Sequence, residues 1–168
     1  MTDPALSLTE MAVLGVLAEG SSHGFAIAKA LEAGSDIGRI LTVRRPLVYR
    51  ALDRLVELGL AEPVHTEPGS AGPQRVVHRT TRSGRSRLRR WLAQPVEHVR
   101  DMRIEFLLKV MLLHRSGSSA LELAQRQMDV LGPTIEALEA VEGDHVDSWR
   151  RHNASAALAF LEELALRG

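Results

Sequence analysis

The chain has 168 residues, a formal net charge of zero and no cysteine, which excludes disulfides and thiolate metal sites. No apolar run approaches the ~18 residues of a membrane span. The first residues also lack the basic region of a signal peptide, so we expect a cytoplasmic protein that contacts no membrane.

Three helices are predicted in the first third of the chain. Apolar side chains recur at helical spacing from about Leu8 to Ala18, and a second helix is predicted from near His23 to a stop at Gly34. The third is predicted from about Pro46 to Leu58, because proline suits a first helical turn and Gly59 follows the last apolar position.

The third predicted helix is amphipathic. Its buried face is predicted to consist of the leucines at helical spacing, Leu47, Leu52, Leu55 and Leu58. The opposite, solvent-facing side then carries polar and charged groups, namely Tyr49, Arg50, Asp53 and Arg54.

Two β-like runs follow, Leu60 to Thr66 and Val76 to Thr80. They are separated by residues 67–73, which are rich in turn formers, so the sequence predicts a hairpin with a long tip. Three helices followed by a hairpin is the order of a winged helix, in which the third helix enters the major groove and the hairpin tip approaches the DNA backbone.

The rest of the chain is helical in pattern. A fourth helix is predicted from Ser83 to before Pro95, and three more follow at Met102 to Leu113, Leu121 to Leu138 and Val146 to Leu166. A kink is predicted at Gly132-Pro133 and a break at Gly143-Asp144. The apolar side chains expected to pack on the last helix are Trp149, Ala156, Phe160 and Leu164.

The fifth predicted helix, Met102 to Leu113, is apolar nearly all round and must be buried on more than one side. A second copy of the chain is the natural cover, which predicts a homodimer. The fold class is therefore mainly α with a small β-hairpin. We predict an N-terminal winged helix-turn-helix for DNA binding over residues 1–92 and a C-terminal helical dimerisation and effector arm over residues 96–168.

Charge is distributed unevenly along the chain. Residues 39–90 carry twelve arginines and four acidic side chains, a net charge of +8, whereas residues 1–38 and 91–168 each carry −4. A basic segment between acidic flanks is typical of a local phosphate-binding surface.

The first ~92 residues resemble the PadR family of bacterial transcriptional regulators. The resemblance rests on short stretches of sequence: Leu14 to Leu17, His23-Gly24-Phe25, Leu47 to Leu55, Glu57 to Leu60, Arg75 and Thr81 to Gly84. The chain departs from the family at His78, where a tyrosine is usual, and at Thr80, where a leucine is usual. The helical remainder resembles the family's dimerisation arm in pattern only.

Seven residues are candidates for DNA binding: Arg44, Arg45, Tyr49, Arg50, Arg54, Arg75 and Arg79. Guanidinium groups suit phosphate oxygens and guanine edges, and the resemblance implies that Tyr49 touches the backbone. Two alternatives remain open from the residues alone. The helix face is also compatible with internal pairing of Arg50 and Arg54 to Asp53 or Glu57, and the hairpin with a merely solvated role. The arginine run over residues 82–90 is weaker evidence, since basic faces also serve solubility.

The resemblance also implies a small aromatic effector, because an aromatic of the fourth helix lines a ligand cavity in some relatives. The candidates for effector binding are Trp91, Phe106 and Trp149, for each of which core packing is the alternative. In the second helix, His23 is expected to cap or pack and Phe25 to lie in the core.

No enzyme signature is recognised: the sequence has no Gly-rich phosphate loop and no nucleophile elbow, and its seven histidines have no ligand spacing. We expect no catalytic residue, no cofactor and no metal site. The predicted function is a ligand-responsive repressor that binds double-stranded DNA at an inverted repeat as a homodimer. The alternatives are a winged helix that docks an acidic protein and a metal-responsive regulator that uses dispersed histidines.

Overall fold

The computed structural model describes residues 4–68, 74–140 and 143–167. The chain forms two compact units, residues 1–91 and residues 92–168, which are described separately below. None of the helices in the described ranges is both long enough and apolar enough to cross a bilayer.

The first unit begins with helix α1, Leu8–Ala18, which matches the predicted helix. Ser7 and Glu10 form a capping box: the Ser7 hydroxyl accepts from the Glu10 amide at 3.2 Å, and the Glu10 carboxylate accepts from the Ser7 amide at 2.6 Å. All residues from Met11 to Leu17 are buried. This helix is therefore the centre of the first unit's core.

Helix α2 is shorter than predicted and covers Gly24–Ala30. His23 is its N-cap, with Nδ1 accepting from the Ala26 amide at 3.1 Å, so the expected capping role of this histidine is confirmed. The helix ends before Gly34 because the Ser35 hydroxyl donates to the Ala30 carbonyl at 2.8 Å, which provides a local partner at the helix end. Gly34 lies beyond the helix with a positive φ of 92°.

Helix α3 covers Arg45–Glu57, within one residue of its predicted bounds. Gly59 follows just beyond its C-cap, and its φ of 67° is the left-handed conformation that glycine adopts after helix ends. Its buried residues are Val48, Ala51, Leu52 and Leu55. Leu47 was predicted to be buried and is exposed, because the core-facing stripe of the helix starts at Val48 instead.

Strands β2, Ala61–Glu67, and β3, Arg75–Thr80, form the predicted antiparallel hairpin, called the wing from here on. Residues 69–73 of its predicted tip lie outside the described residues. A third strand was not predicted: β1, Ser22–His23, pairs antiparallel with β3, which gives the sheet order β1-β3-β2. Two residues are too few to show an alternating pattern.

Helix α4, Arg82–Leu92, follows the wing. The Thr81 hydroxyl accepts from the Gly84 amide at 3.0 Å and donates to the Gly59 carbonyl at 2.7 Å, so it ties the start of α4 to the end of α3. Thr81 therefore links two of the stretches that carry the family resemblance, Glu57 to Leu60 and Thr81 to Gly84.

The second unit contains a short 3-10 helix, Val99–Arg103, and three α-helices: α5, Glu105–Arg115; α6, Leu121–Glu139; and α7, His145–Arg167. The prediction of one helix from Met102 was wrong, because Met102 belongs to the 3-10 turn. Asp144 accepts from the Val146 and Asp147 amides and starts α7 after the predicted break. Helix α6 continues through Pro133.

The core of the second unit is mostly aliphatic, with one aromatic ring at its centre. Phe106 is fully buried and meets Phe160 edge to face at 6.4 Å between ring centroids. The α7 residues that pack most closely in this core are Ala154, Ala157 and Leu161. The apolar face predicted for α7 was therefore wrong in part, since Ala156 and Trp149 face outward.

Two buried polar side chains hold the peptide that opens the second unit. Gln127 donates to the Val96 carbonyl and accepts from the Val96 amide, both at 2.8 Å. Lys109, only 1% exposed, donates to the Gln94 carbonyl at 2.7 Å and pairs with Glu105 at 2.7 Å. Burial lowers the pKa of Lys109, although Glu105 acts in the opposite direction.

Candidate nucleic-acid interface

The outward face of α3 carries the polar residues predicted for it. Tyr49, Arg50, Asp53 and Arg54 are all exposed, while Val48, Ala51, Leu52 and Leu55 face the core. This division follows from the 3.6-residue period of the helix, which puts positions 48, 51, 52 and 55 on one side. The face is therefore free to meet a ligand without disturbing the core.

The start of α3 is open and basic. Arg44 is the N-cap and makes no side-chain cap hydrogen bond within the described residues, and Pro46 follows in the first turn. Pro46 has no amide hydrogen and the Leu47 and Val48 amides donate to the Arg44 carbonyl, so the attraction for phosphate at this end comes from the positive end of the helix dipole. Arg44 and Arg45 are both exposed and add positive charge at the same point.

Arg50 and Arg54 differ in their surroundings. Arg54 pairs with Glu57 at 3.3 Å on the helix surface, which is the internal pairing left open above. Arg50 has no ion pair or hydrogen bond with any residue that the structure describes. Asp53 is likewise outside the ion pairs of the described residues, so Arg50 offers the less compensated positive charge.

Tyr49 has its ring against the start of α2. A Cβ atom placed on Gly24 would lie 2.6 Å from Tyr49 Cε1, so the ring occupies the space of a missing side chain. Tyr49 nevertheless stays 43% exposed. The glycine of the His23-Gly24-Phe25 stretch therefore sets where this ring can rest.

The two arginines of the wing have different partners. Arg79 pairs with Glu62 on the neighbouring strand, with Nε and Oε1 2.8 Å apart, which offsets its charge. Arg75 stacks on Phe25, with Cζ 5.3 Å from the ring centroid. Phe25 was expected in the core and is 39% exposed, because α2 turns this position toward the wing.

A cavity of about 510 Å³ lies among α2, α3 and β3. Its lining includes three of the candidate DNA-binding residues, Arg45, Tyr49 and Arg75. The other candidates, Arg44, Arg50, Arg54 and Arg79, do not line it. The fold thus brings the start of α3 and the start of β3 together, which sequence spacing does not reveal.

His78, on β3, also lines this cavity. Its Nδ1 atom is buried and has no hydrogen-bond partner among the described residues. Burial lowers the pKa of His78, while the backbone of Val76 and the carboxylate of Asp53 act in the opposite direction. The neutral imidazole is therefore favoured at neutral pH.

Several arginines of α4 serve the structure of the first unit. Arg85 donates to the Thr80 carbonyl and Arg87 to the Pro4 carbonyl, both at 2.8 Å. Arg90 donates to the Ser86 hydroxyl at 3.3 Å. These contacts agree with the weaker weight given to this arginine run.

The three effector candidates differ in exposure. Trp91 is buried at the end of α4 and Phe106 is buried in the core of the second unit, whereas Trp149 on α7 is 70% exposed. Their role in ligand binding stays a prediction. Across the described residues, no three histidine or acidic side chains converge as metal ligands.

Three helices followed by a wing, with a polar outward face on the third helix, define the first unit as a winged helix of the DNA-binding type. The family model described as the transcriptional regulator PadR-like family matches residues 13–90. The resemblance to PadR-like regulators inferred from the sequence is thus confirmed over residues 13–90.

Two solved structures are similar to the chain as a whole. Bacillus subtilis PadR in complex with operator DNA is 18% identical, with 93% of this chain and 97% of that chain covered and a TM-score of 0.49. Bacillus subtilis PadR in complex with p-coumaric acid is 19% identical, with 96% and 98% covered and a TM-score of 0.43. None of the curated proteins matches this chain in sequence.

Proposed function

We propose that the chain is a sequence-specific transcriptional regulator that binds an inverted-repeat DNA operator as a homodimer. The observation that carries the proposal is the outward face of α3, where Tyr49 and Arg50 follow an uncapped, doubly basic helix start and Arg50 is unpaired with respect to the described residues. A helix of this kind fits the major groove of B-DNA, where guanidinium groups read guanine and hold phosphates.

In this proposal each side chain has a role. Arg50 contacts base edges or a phosphate, and the Tyr49 hydroxyl donates a hydrogen bond to a phosphate of the DNA backbone. Arg44 and Arg45 bind phosphates of the DNA strand at the start of α3. Arg54 contributes after exchanging its contact with Glu57, which costs little because the pair is exposed. Arg75 and Arg79 bring the wing against the DNA backbone.

Exposed apolar surface on the second unit supports the homodimer. The α5 side chains Leu107, Val110, Met111 and Leu113 are only partly buried within one chain. Helix α7 exposes three large apolar side chains, Val146, Trp149 and Leu166. Apolar area of this kind is stabilised by a second copy, and a two-fold dimer would present two α3 helices about 34 Å apart.

We propose that the dimer represses by occluding the promoter in the cytoplasm, and that a small aromatic compound releases it. The Bacillus subtilis PadR structure with p-coumaric acid supports this class of effector. Trp91, Phe106 and Trp149 are the proposed effector-binding residues. A ligand that changes the angle between two winged helices disfavours DNA binding, because both must fit one operator spacing.

The test is binding of the purified full-length chain to the DNA upstream of its own gene, measured by fluorescence anisotropy beside a shuffled duplex of equal length. The proposal expects a clear preference for one sequence that persists as affinity falls between about 50 and 200 mM salt. Sedimentation should give a dimer at the same concentrations. A monomer that holds both duplexes equally would contradict the proposal.

A further inference from the structure

Phe25 joins two basic side chains from separate elements. Arg45 begins α3, and its Cζ lies 4.8 Å from the centroid of the Phe25 ring. Arg75 begins β3, and its Cζ lies 5.3 Å from the same centroid. Both distances are in the range of cation–π contacts. One exposed ring on α2 therefore contacts arginines from both α3, which is the proposed recognition helix, and the wing.

The charge of the two cations is not neutralised by an ion pair with a described residue, although Asp53 lines the cavity that they share. Neither Arg45 nor Arg75 forms an ion pair with any residue in the described part of the chain. Bringing two guanidinium groups to one ring is opposed by their mutual repulsion, which the face of the ring offsets only in part. An anion bound beside them would balance the charge.

The space beside the ring suits an oxyanion. Phe25, Arg45, Arg75 and Tyr49 line the cavity of about 510 Å³, and one carboxylate, that of Asp53, lines it as well. Guanidinium forks and a phenol are the donors that match phosphate oxygens. The start of α3 borders the same cavity, where the positive end of the helix dipole adds to the attraction for an anion.

We propose that Phe25 is a positioning residue that holds Arg45 and Arg75 as a pair, and that this pair takes one phosphate of the DNA backbone. The inference rests on the proposed DNA-binding function and deepens it. Its consequence is that the recognition helix and the wing engage the same strand at one fixed point, so the angle between α3 and the wing is set when DNA binds.

The test is a double-mutant cycle on DNA affinity with the full-length protein, using whichever duplex the wild type binds best. Phe25→Leu removes the ring and leaves every charge in place, and it should weaken binding about three- to tenfold. In a protein that already carries Arg45→Ala and Arg75→Ala, Phe25→Leu should leave the DNA affinity almost unchanged, because the two guanidinium groups that the ring positions are gone. Phe25→Trp should bind DNA with nearly the affinity of the wild type, since tryptophan keeps an aromatic face at this position.

A matched control is Val130→Ala, which shortens an exposed apolar side chain on α6, outside the winged helix. It should leave affinity unchanged. Thermal unfolding of every variant checks that the fold is intact. An equal loss from Phe25→Leu in both backgrounds would mean that the ring itself contacts DNA, and this would overturn the proposal.

A second arm identifies the anion. A set of duplexes is prepared in which each carries one neutral methylphosphonate linkage at a different position, and the affinities of the wild type and Phe25→Leu are measured for each duplex. For the duplex that lacks the charge of the proposed phosphate, the two proteins should bind with equal affinity. If no linkage behaves so, and inorganic phosphate instead raises the melting temperature of the wild type more than that of Phe25→Leu, the pair holds a free anion and the inference fails. Wild-type protein that binds no duplex at all would instead overturn the proposed function, and the inference with it.

Discussion

The ring of Tyr49 on α3 rests over Gly24 on α2, where a Cβ atom would come within 2.6 Å of Tyr49 Cε1. The exposed tyrosine is thus held in one place by the absence of a side chain on the neighbouring helix. Gly24, which has no side chain, therefore leaves the space in which the Tyr49 ring lies.

Replacing Gly24 by alanine should displace the Tyr49 ring and weaken DNA binding by about fivefold, the value of one hydrogen bond. The side chain that must move is exposed at its far end, so the melting temperature should fall little. Gly20→Ala is the matched control, because a Cβ there has nothing within 4 Å. Anisotropy titrations and thermal scans of both variants decide the matter; equal affinities would mean that Tyr49 does not act from this position.

Arg50 and Arg54 should respond unequally to truncation. Arg50→Ala should lower operator affinity by about 5- to 150-fold, the range for losing a guanidinium contact to a base or phosphate. Arg54→Ala should cost less, because Arg54 is already paired with Glu57. Both residues are exposed, so unfolding curves should hardly change. A large loss of stability in Arg50→Ala would identify it as a structural residue instead.

Gln127→Leu should destabilise the second unit by about 2 kcal/mol or more, because it leaves the amide and carbonyl of Val96 buried without partners. Gln125→Leu makes the same chemical change at an exposed position of the same helix and should stay within about 0.5 kcal/mol of the wild type. Urea unfolding of the two variants gives the comparison. Similar midpoints for both would show that the Val96 contacts contribute little.

Acidification should destabilise the first unit through His78. Burial lowers the pKa of His78 below its ordinary value of 6.5, so the folded chain binds this proton less tightly than the unfolded chain. His78 therefore does not reduce the free energy of unfolding above pH 6.5, and it reduces it as the pH falls below that value.

The measurement is the melting temperature across that pH range for the wild type and His78→Gln, which should show a shallower decline. His145→Gln, at an exposed position on α7, serves as the control and should follow the wild type. A wild-type slope in His78→Gln would assign the pH dependence to other groups.

Local signals determined much of the first unit. Apolar spacing gave α1 at its observed bounds, and Pro46 and Gly59 bracketed α3 to within one residue, since these residues act through their own backbone conformations. The outward face of α3 also followed from its helical period, although Leu47 was assigned to the wrong side.

Contacts between distant segments could not be deduced in this way. Strand β1 exists because β3 offers it hydrogen bonds, and Phe25 lies outside the core, where Arg45 and Arg75 contact its ring. The sequence determined the positions of the long helices, the two wing strands and the basic segment, because these features depend on residues that are close together in sequence. Only the tertiary structure decided which arginine is paired, which is stacked and which has no partner among the described residues, because that depends on the side chains that folding brings within a few ångströms.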